Sequence, residues 1–251
     1  MAVESATIDK RDNEFFTRKA EDWWAADGQF KHLRALGVYT LGYIEDRLLS
    51  KRWASKKSGE FKLTKKVKVL DAGCGGGFVS EPLARKGCTV VGIDVNESMI
   101  EIAKNHAKLD SSLVDLSYHL ESIEEHSEKN EEQYDVVVLA FVLQHSINHD
   151  ILISNCVKAL KPGGIIILSA ANRTVAGWFS VILLGDLVFG YVPRGSHNWR
   201  LFIKPEEVET YLSENKCTGS TPIGLHYDTA TCTVIGTRRT GGYYIMHGDK
   251  N

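Results

Sequence analysis

The sequence predicts a doubly wound α/β fold built on a mostly parallel sheet of seven strands. Three observations carry that expectation. From Lys66 onward, short β-branched runs alternate with longer amphipathic ones. Two runs, residues 135–140 and 165–169, are apolar almost throughout, as strands covered on both faces are. A glycine-rich segment, Asp71-Ala72-Gly73-Cys74-Gly75-Gly76-Gly77, sits between the short β-branched run 67–70 and a helix.

Residues 9–52 contain no proline and read as helical, with a second helix over residues 41–49. Residues 51–66 are rich in lysine and serine and read as a linker. Strands are expected at 67–70, 89–93, 114–119, 135–140 and 165–169. Helices are expected at 79–86, 98–108 and 149–160, and Lys161-Pro162-Gly163-Gly164 reads as a turn. Strand and helix in alternation argue for parallel strands with helices on both faces. Residues 172–197 break the alternation, being apolar without a strand period. A helix at 206–212 and two last strands, 222–227 and 243–247, complete the reading. The expected organisation is one domain over residues 1–251. It divides into a helical cap and linker (1–65), a cofactor-binding core (66–171), an acceptor lid (172–212) and final strands (213–251).

The composition is that of a globular protein, with 43% hydrophobic and 25% charged residues in 251. A net charge of −2 gives no footing for nucleic acid. The five cysteines are odd in number and form no Cys-x-x-Cys pair, which argues against a disulfide framework or a zinc site. Neither a secretory signal nor an apolar run of about 20 residues is evident. The expected location is cytoplasmic, or mitochondrial if a presequence has been removed.

The glycine segment excludes two phosphate binders. Gly73 and Gly75 fill two places of the dinucleotide fingerprint, but Phe78 stands where its third glycine belongs. No Gly-Lys-Ser/Thr follows, so it is not a P-loop. S-adenosylmethionine fits better, because it carries no pyrophosphate and needs anions around its positive charges. Asp71 is expected near the ammonium. Asp94 ends the next strand about 20 residues after Gly73, where a carboxylate accepts hydrogen bonds from ribose hydroxyls. Val95 and Met99 follow it along the same wall. Glu121 and Ser122 are expected at the adenine edge, and Ala140 and Phe141 beside the adenine or the sulfonium.

On these residues the chain resembles the O-methyltransferases of ubiquinone biosynthesis, bacterial and mitochondrial. The resemblance covers Trp23-Trp24, Gly28-Gln29-Phe30-Lys31, Leu41-Gly42-Tyr43-Ile44, the glycine segment and Lys161-Pro162-Gly163-Gly164. It continues through Val192-Pro193-Arg194-Gly195-Ser196-His197, Phe202-Ile203-Lys204-Pro205 and Gly224-Leu225-His226-Tyr227. It implies a class I methyltransferase with strand order 3-2-1-4-5-7-6 and a polyprenyl catechol as the small-molecule acceptor. It also implies a divalent cation held by Glu-x-x-Glu-His after the fourth strand. Here that group reads Phe141-Val142-Leu143-Gln144-His145. Both carboxylates are gone, and hard cations need charged oxygens, so no metal is expected. Thr40 stands where the family has an arginine near the cofactor carboxylate.

His145 is the candidate base for a phenolic acceptor. An amine or thiol acceptor would need no base, and a partner protein that binds the cofactor without catalysis is a third reading. His197 and His226 are either pocket residues or structural. The apolar insert 178–192 is either a lid or a face for peripheral membrane contact.

Overall fold

A computed structural model describes Thr7, residues 10–179, Val181, Ile182 and residues 198–251. The chain opens with α1 (Lys10–Lys19), a 3-10 turn (Ala20–Asp22) and α2 (Lys31–Ser50). The expected linker is instead a hairpin, β1 (Ala54–Lys57) and β2 (Glu60–Leu63). Its turn residues Ser58 and Gly59 have φ of 51° and 86°. Two successive left-handed residues match the twist of a two-residue hairpin, and glycine takes the second at no steric cost. The charged strands hid this hairpin, because no hydrophobic alternation marks them.

The α/β body runs β3 (Lys68–Ala72), α3 (Ser80–Arg85), β4 (Thr89–Asp94), α4 (Glu97–Ala107) and β5 (Leu116–Leu120). It continues with α5 (Ile123–Lys129), β6 (Tyr134–Ala140), a 3-10 turn (Leu143–His145), α6 (His149–Ala159) and β7 (Leu160–Ala171). After the short α7 (Val175–Gly177) and a 3-10 turn (Trp199–Leu201) come α8 (Pro205–Glu214) and four strands. These are β8 (Cys217–Gly219), β9 (Ile223–Asp228), β10 (Thr233–Thr237) and β11 (Tyr243–Lys250).

The sheet order is β10-β9-β11-β7-β6-β3-β4-β5, with β8 beside β11. Seven of these strands, β5-β4-β3-β6-β7-β11-β9, reproduce the order implied by the resemblance. β8 and β10 raise the sheet to nine strands. β10 is a piece of the long connection expected between the last two strands. It adds antiparallel to β9, with Ile235 opposite His226. The expected turn at residues 161–164 lies within β7. There Gly163 is left-handed and the pairing with β6 shifts register after Tyr134.

Alternation along β6 divides the core. Val137 and Leu139 face a cluster with Ile153, Leu168, Ile203 and Val208. Val136 and Val138 face Ile44, Leu48, Leu83 and Val90 on the other side. Side chains on one strand point to opposite faces in turn, so one apolar run serves both layers. Each such burial is worth about 1.5–3 kcal/mol. Helix α5 was missed in the sequence although Ser122 and Glu125 form a capping box. Among the described residues no helix is long and apolar enough to cross a membrane.

Candidate active site

A cavity opens at the carboxyl ends of β3, β4, β5 and β6, beneath α1 and the start of α2. The glycine segment forms one wall. Gly73 and Gly75 are left-handed at φ 77° and 52°. A Cβ on Gly73 would lie 2.5 Å from Val142, and one on Gly75 would lie 2.6 Å from the Trp23 ring. Only glycine meets both demands.

Asp94 fastens this wall. The Gly75 amide donates to its Oδ2 at 2.9 Å and the Asn96 amide to its Oδ1 at 2.9 Å. Burial raises the carboxyl above the ordinary aspartate value, and these backbone bonds work in the opposite direction. Val95 and Met99 lie beside it in the cavity wall. Glu121, also lining, accepts from His126 Nδ1 at 2.8 Å and from Lys129 at 2.6 Å. Burial would raise its pKa, but Lys129 and His126 outweigh it and leave the carboxyl below its usual value. His126 is held in turn by the Tyr134 hydroxyl at 2.7 Å.

Two expected cofactor residues do not line the cavity. Asp71 is buried behind the glycine segment, where it accepts from the Ser80 hydroxyl at 2.5 Å. Burial pushes its carboxyl up to about 6, against the Ser80 hydrogen bond. Ser122 is buried and its hydroxyl accepts from the Glu125 amide, capping α5. Both side chains are hydrogen-bonded within the fold, away from the cavity wall.

The opposite end of the cavity is aromatic. Ala140, Phe141, Gln144 and His145 line it, together with Phe16, Phe30, His32 and Tyr243. Phe141 is left-handed at φ 59°, an outlier for a bulky residue. Its amide donates to the Ser169 carbonyl at 3.0 Å, and its ring meets Tyr243 edge-on at 5.6 Å. The Gln144 amide nitrogen donates to the Phe141 carbonyl at 2.8 Å, while its Oε1 is buried without a hydrogen-bond partner. His145 is half-buried and lies edge-on to Phe16 at 5.5 Å between centroids.

This donor set does not suit magnesium. A phenyl ring and a carboxamide stand where two carboxylates would be needed, and the amide nitrogen is turned to a carbonyl. Thr40 is buried and donates to the Leu36 carbonyl at 3.0 Å, outside the cavity wall. His226 is exposed on β9 and does not reach the cavity. His197 and the rest of 183–197 in the expected lid, together with residue 180, lie outside the described residues.

The sequence reading missed the contribution of the cap. Phe16, Trp23, Phe30 and His32 all reach the cavity from α1, α2 and the segment between them. Asn96 ties the cap down, its Nδ2 donating to Asn13 Oδ1 at 2.6 Å and Thr17 Oγ1 at 2.9 Å. The resemblance had marked Trp23 and Phe30 without giving them a role.

Residues 70–168 match the methyltransferase domain family. The ubiquinone biosynthesis O-methyltransferase of Klebsiella pneumoniae is 34% identical over 232 residues, 92% of this chain and 90% of that protein. The mitochondrial enzyme of that name from Rattus norvegicus is 33% identical over 244 residues, 97% of this chain and 70% of the relative. The chain belongs to the ubiquinone biosynthesis O-methyltransferase family. It is a methyltransferase that uses S-adenosylmethionine. Solved structures agree on the fold. Magnesium protoporphyrin IX methyltransferase from Synechocystis, with bound S-adenosylhomocysteine, superposes with a TM-score of 0.64 at 19% identity, covering 95% of this chain and 98% of that one. A Thermotoga maritima enzyme, described as a possible histamine N-methyltransferase, gives 0.61 at 14% identity, covering 96% and 100%. The cavity suits the cofactor: its glycine wall leaves no room for side chains, and Asp94 and Glu121 supply anions for a donor with a net positive charge.

Proposed function

We propose that this enzyme methylates a hydroxyl of a small apolar aromatic, a catechol of the ubiquinone-precursor type, without a divalent cation. The observation that carries the reading is the acceptor end of the cavity. Phe16, Phe30, Phe141 and Tyr243 line this end with two imidazoles, His32 from the cap and His145 after β6, and no carboxylate stands on the 141–145 segment. Such a wall binds a flat apolar ring by burial and edge contacts. It leaves proton removal to a histidine, the side chain most often used as a general base.

Gly73, Gly75, Asp94, Val95, Met99, Glu121 and Ala140 are the residues that would hold S-adenosylmethionine, which supplies an electrophilic methyl group on its sulfonium. The remaining tasks belong to the chain. The aromatic wall orients the acceptor hydroxyl and excludes water, and His145 takes the hydroxyl proton on a ring nitrogen as the oxygen becomes the nucleophile.

The supply of an apolar acceptor has its own support. Val175, Trp178, Phe179 and Trp199 are 83%, 42%, 50% and 39% exposed. Trp199 donates to the Thr174 carbonyl at 3.3 Å, which places it beside the short helix α7. Exposed tryptophans next to an apolar insert suit the surface of a bilayer. In this reading the exposed residues on either side of the insert draw the acceptor from the membrane, and residues 1–251 work as one domain.

The test is methyl transfer from a labelled donor to a polyprenyl catechol, a primary amine and a thiol, each with and without EDTA. Transfer to the catechol that survives chelation is the expected result. Transfer confined to the amine or thiol, or lost on chelation and restored by magnesium, refutes this reading.

A further inference from the structure

The methyl donor carries a carboxylate on its amino-acid tail, and the cavity offers that anion no conventional partner. None of the described residues lining it is an arginine or a lysine. Four amides of the glycine segment are already engaged. Those of Gly73 and Cys74 both donate to the Ile93 carbonyl, at 2.8 and 3.0 Å. The Gly75 amide donates to Asp94, and the Gly77 amide to the Cys74 carbonyl at 3.0 Å.

One buried donor on the cavity wall has no partner, the indole Nε1 of Trp23. Its neighbour Trp24 makes the contrast plain. The Trp24 indole donates to the Gly76 carbonyl at 3.0 Å and stacks flat on His106 at 3.6 Å, so it serves the fold. The Trp23 ring lies across the glycine segment, and a Cβ on Gly76 would come within 2.6 Å of its Nε1. Phe30 and Phe78 hold it with centroids at 4.7 Å each, and Phe16 meets it edge-on at 6.4 Å. An indole this well packed is pre-organised, and a buried donor left without an acceptor calls for an explanation.

We propose that the indole N–H of Trp23 binds the carboxylate of S-adenosylmethionine. The proposal rests on the cofactor assignment above. With the nucleoside end of the donor at Asp94 and Glu121, the amino-acid tail falls on the glycine side of the cavity, beside Trp23. A neutral donor there replaces a salt bridge. The cofactor then keeps its net positive charge in a cavity whose fixed charges are Asp94 and Glu121.

Calorimetric titration of the full chain tests the proposal, with S-adenosylhomocysteine and with 5′-deoxy-5′-methylthioadenosine, which lacks the amino-acid tail. Trp23→Phe is expected to bind S-adenosylhomocysteine roughly ten- to a hundredfold more weakly, the range for one hydrogen bond to a charged group. Its affinity for methylthioadenosine should stay within about twofold, since no hydrogen bond to that ligand is removed. Equal losses for both ligands, or no loss for either, overturn the proposal. A wild-type protein that binds neither ligand overturns the cofactor site instead. Because losing an indole from the cap can unfold the variant, a second measurement uses wild-type protein labelled with 15N. The Trp23 indole proton should move downfield on adding S-adenosylhomocysteine and stay in place with methylthioadenosine. An indole signal that ignores both bound ligands also overturns the assignment.

Discussion

The two ends of the cavity are built from different materials. At the β3–β4 end, backbone amides and a carboxylate are locked together, with Gly75 and Asn96 both donating to Asp94. At the β6 end, rings from the cap, from the 141–145 segment and from β11 meet around His145. The first arrangement fixes charge in a few tenths of an ångström. The second offers an apolar shape and the imidazoles of His145 and His32. On the function proposed above, the first end holds the cofactor and is intolerant of change in any member, while the second takes the acceptor and can be remodelled by exchanging rings. Substitution of the two metal-type carboxylates by Phe141 and Gln144 is a remodelling of that kind.

Four expectations would break or sharpen the contrast. The largest concerns His145→Ala. With a phenolic acceptor, turnover should fall by roughly 10²–10⁴-fold, the usual range for a general base, while affinity for S-adenosylhomocysteine stays the same. A variant that keeps turnover removes the base from the acceptor end. Next in size is Asp94→Ala, which should weaken S-adenosylhomocysteine by about 1.5–3 kcal/mol for each charge-assisted bond lost. An unchanged dissociation constant by calorimetry would show that the cofactor lies elsewhere.

The third concerns Asp71, whose carboxyl rises from 3.8 to about 6 on burial. A raised folded pKa means that the folded state prefers the protonated acid. The stabilisation is full below pH 4 and is lost as pH rises through 6, by roughly 3 kcal/mol if the shift is taken at face value. Denaturant melts of the apoprotein between pH 4 and 7 should show this slope, and Asp71→Asn should flatten it. A slope that persists in the variant assigns the effect to another group. The smallest effect is the chelation response. Turnover in EDTA should stay within about twofold of the control, because the donor set at 141–145 has lost its charged oxygens.

The meeting of the glycine segment with Asp94 in one cavity wall was legible in the sequence because it is local. Gly73, Gly75 and Asp94 occupy the ends of adjacent parallel strands, and the spacing of one β-α-β unit places them together. Asp71 and Ser122 were expected in the same wall and do not line it. Ser80 and Glu125 take their hydrogen bonds before any ligand can. The acceptor end was legible only as a list of departures from a family pattern. Phe16, Trp23, Phe30 and His32 enter through docking of the cap, and Tyr243 through a strand far along the chain. No periodicity in the sequence reports such docking. The β1–β2 hairpin escaped because its strands, Ala54–Lys57 and Glu60–Leu63, are largely exposed and charged.

The position of β11 has a consequence for how the molecule is made. It pairs antiparallel with β7 along its length, Tyr243 opposite Ala171 and Asp249 opposite Ile165, and its other edge carries β8 and β9. A strand in the interior of the sheet is thus supplied by residues synthesised well after its neighbour. Until residues 243–250 leave the ribosome, the apolar edge of β7 from Ile165 to Leu168 stands unpaired, a template for any passing strand. Pairing so distant in sequence also makes for slow folding. The nascent chain accordingly faces its greatest risk of aggregation after the parallel half of its sheet has formed and before β11 closes it.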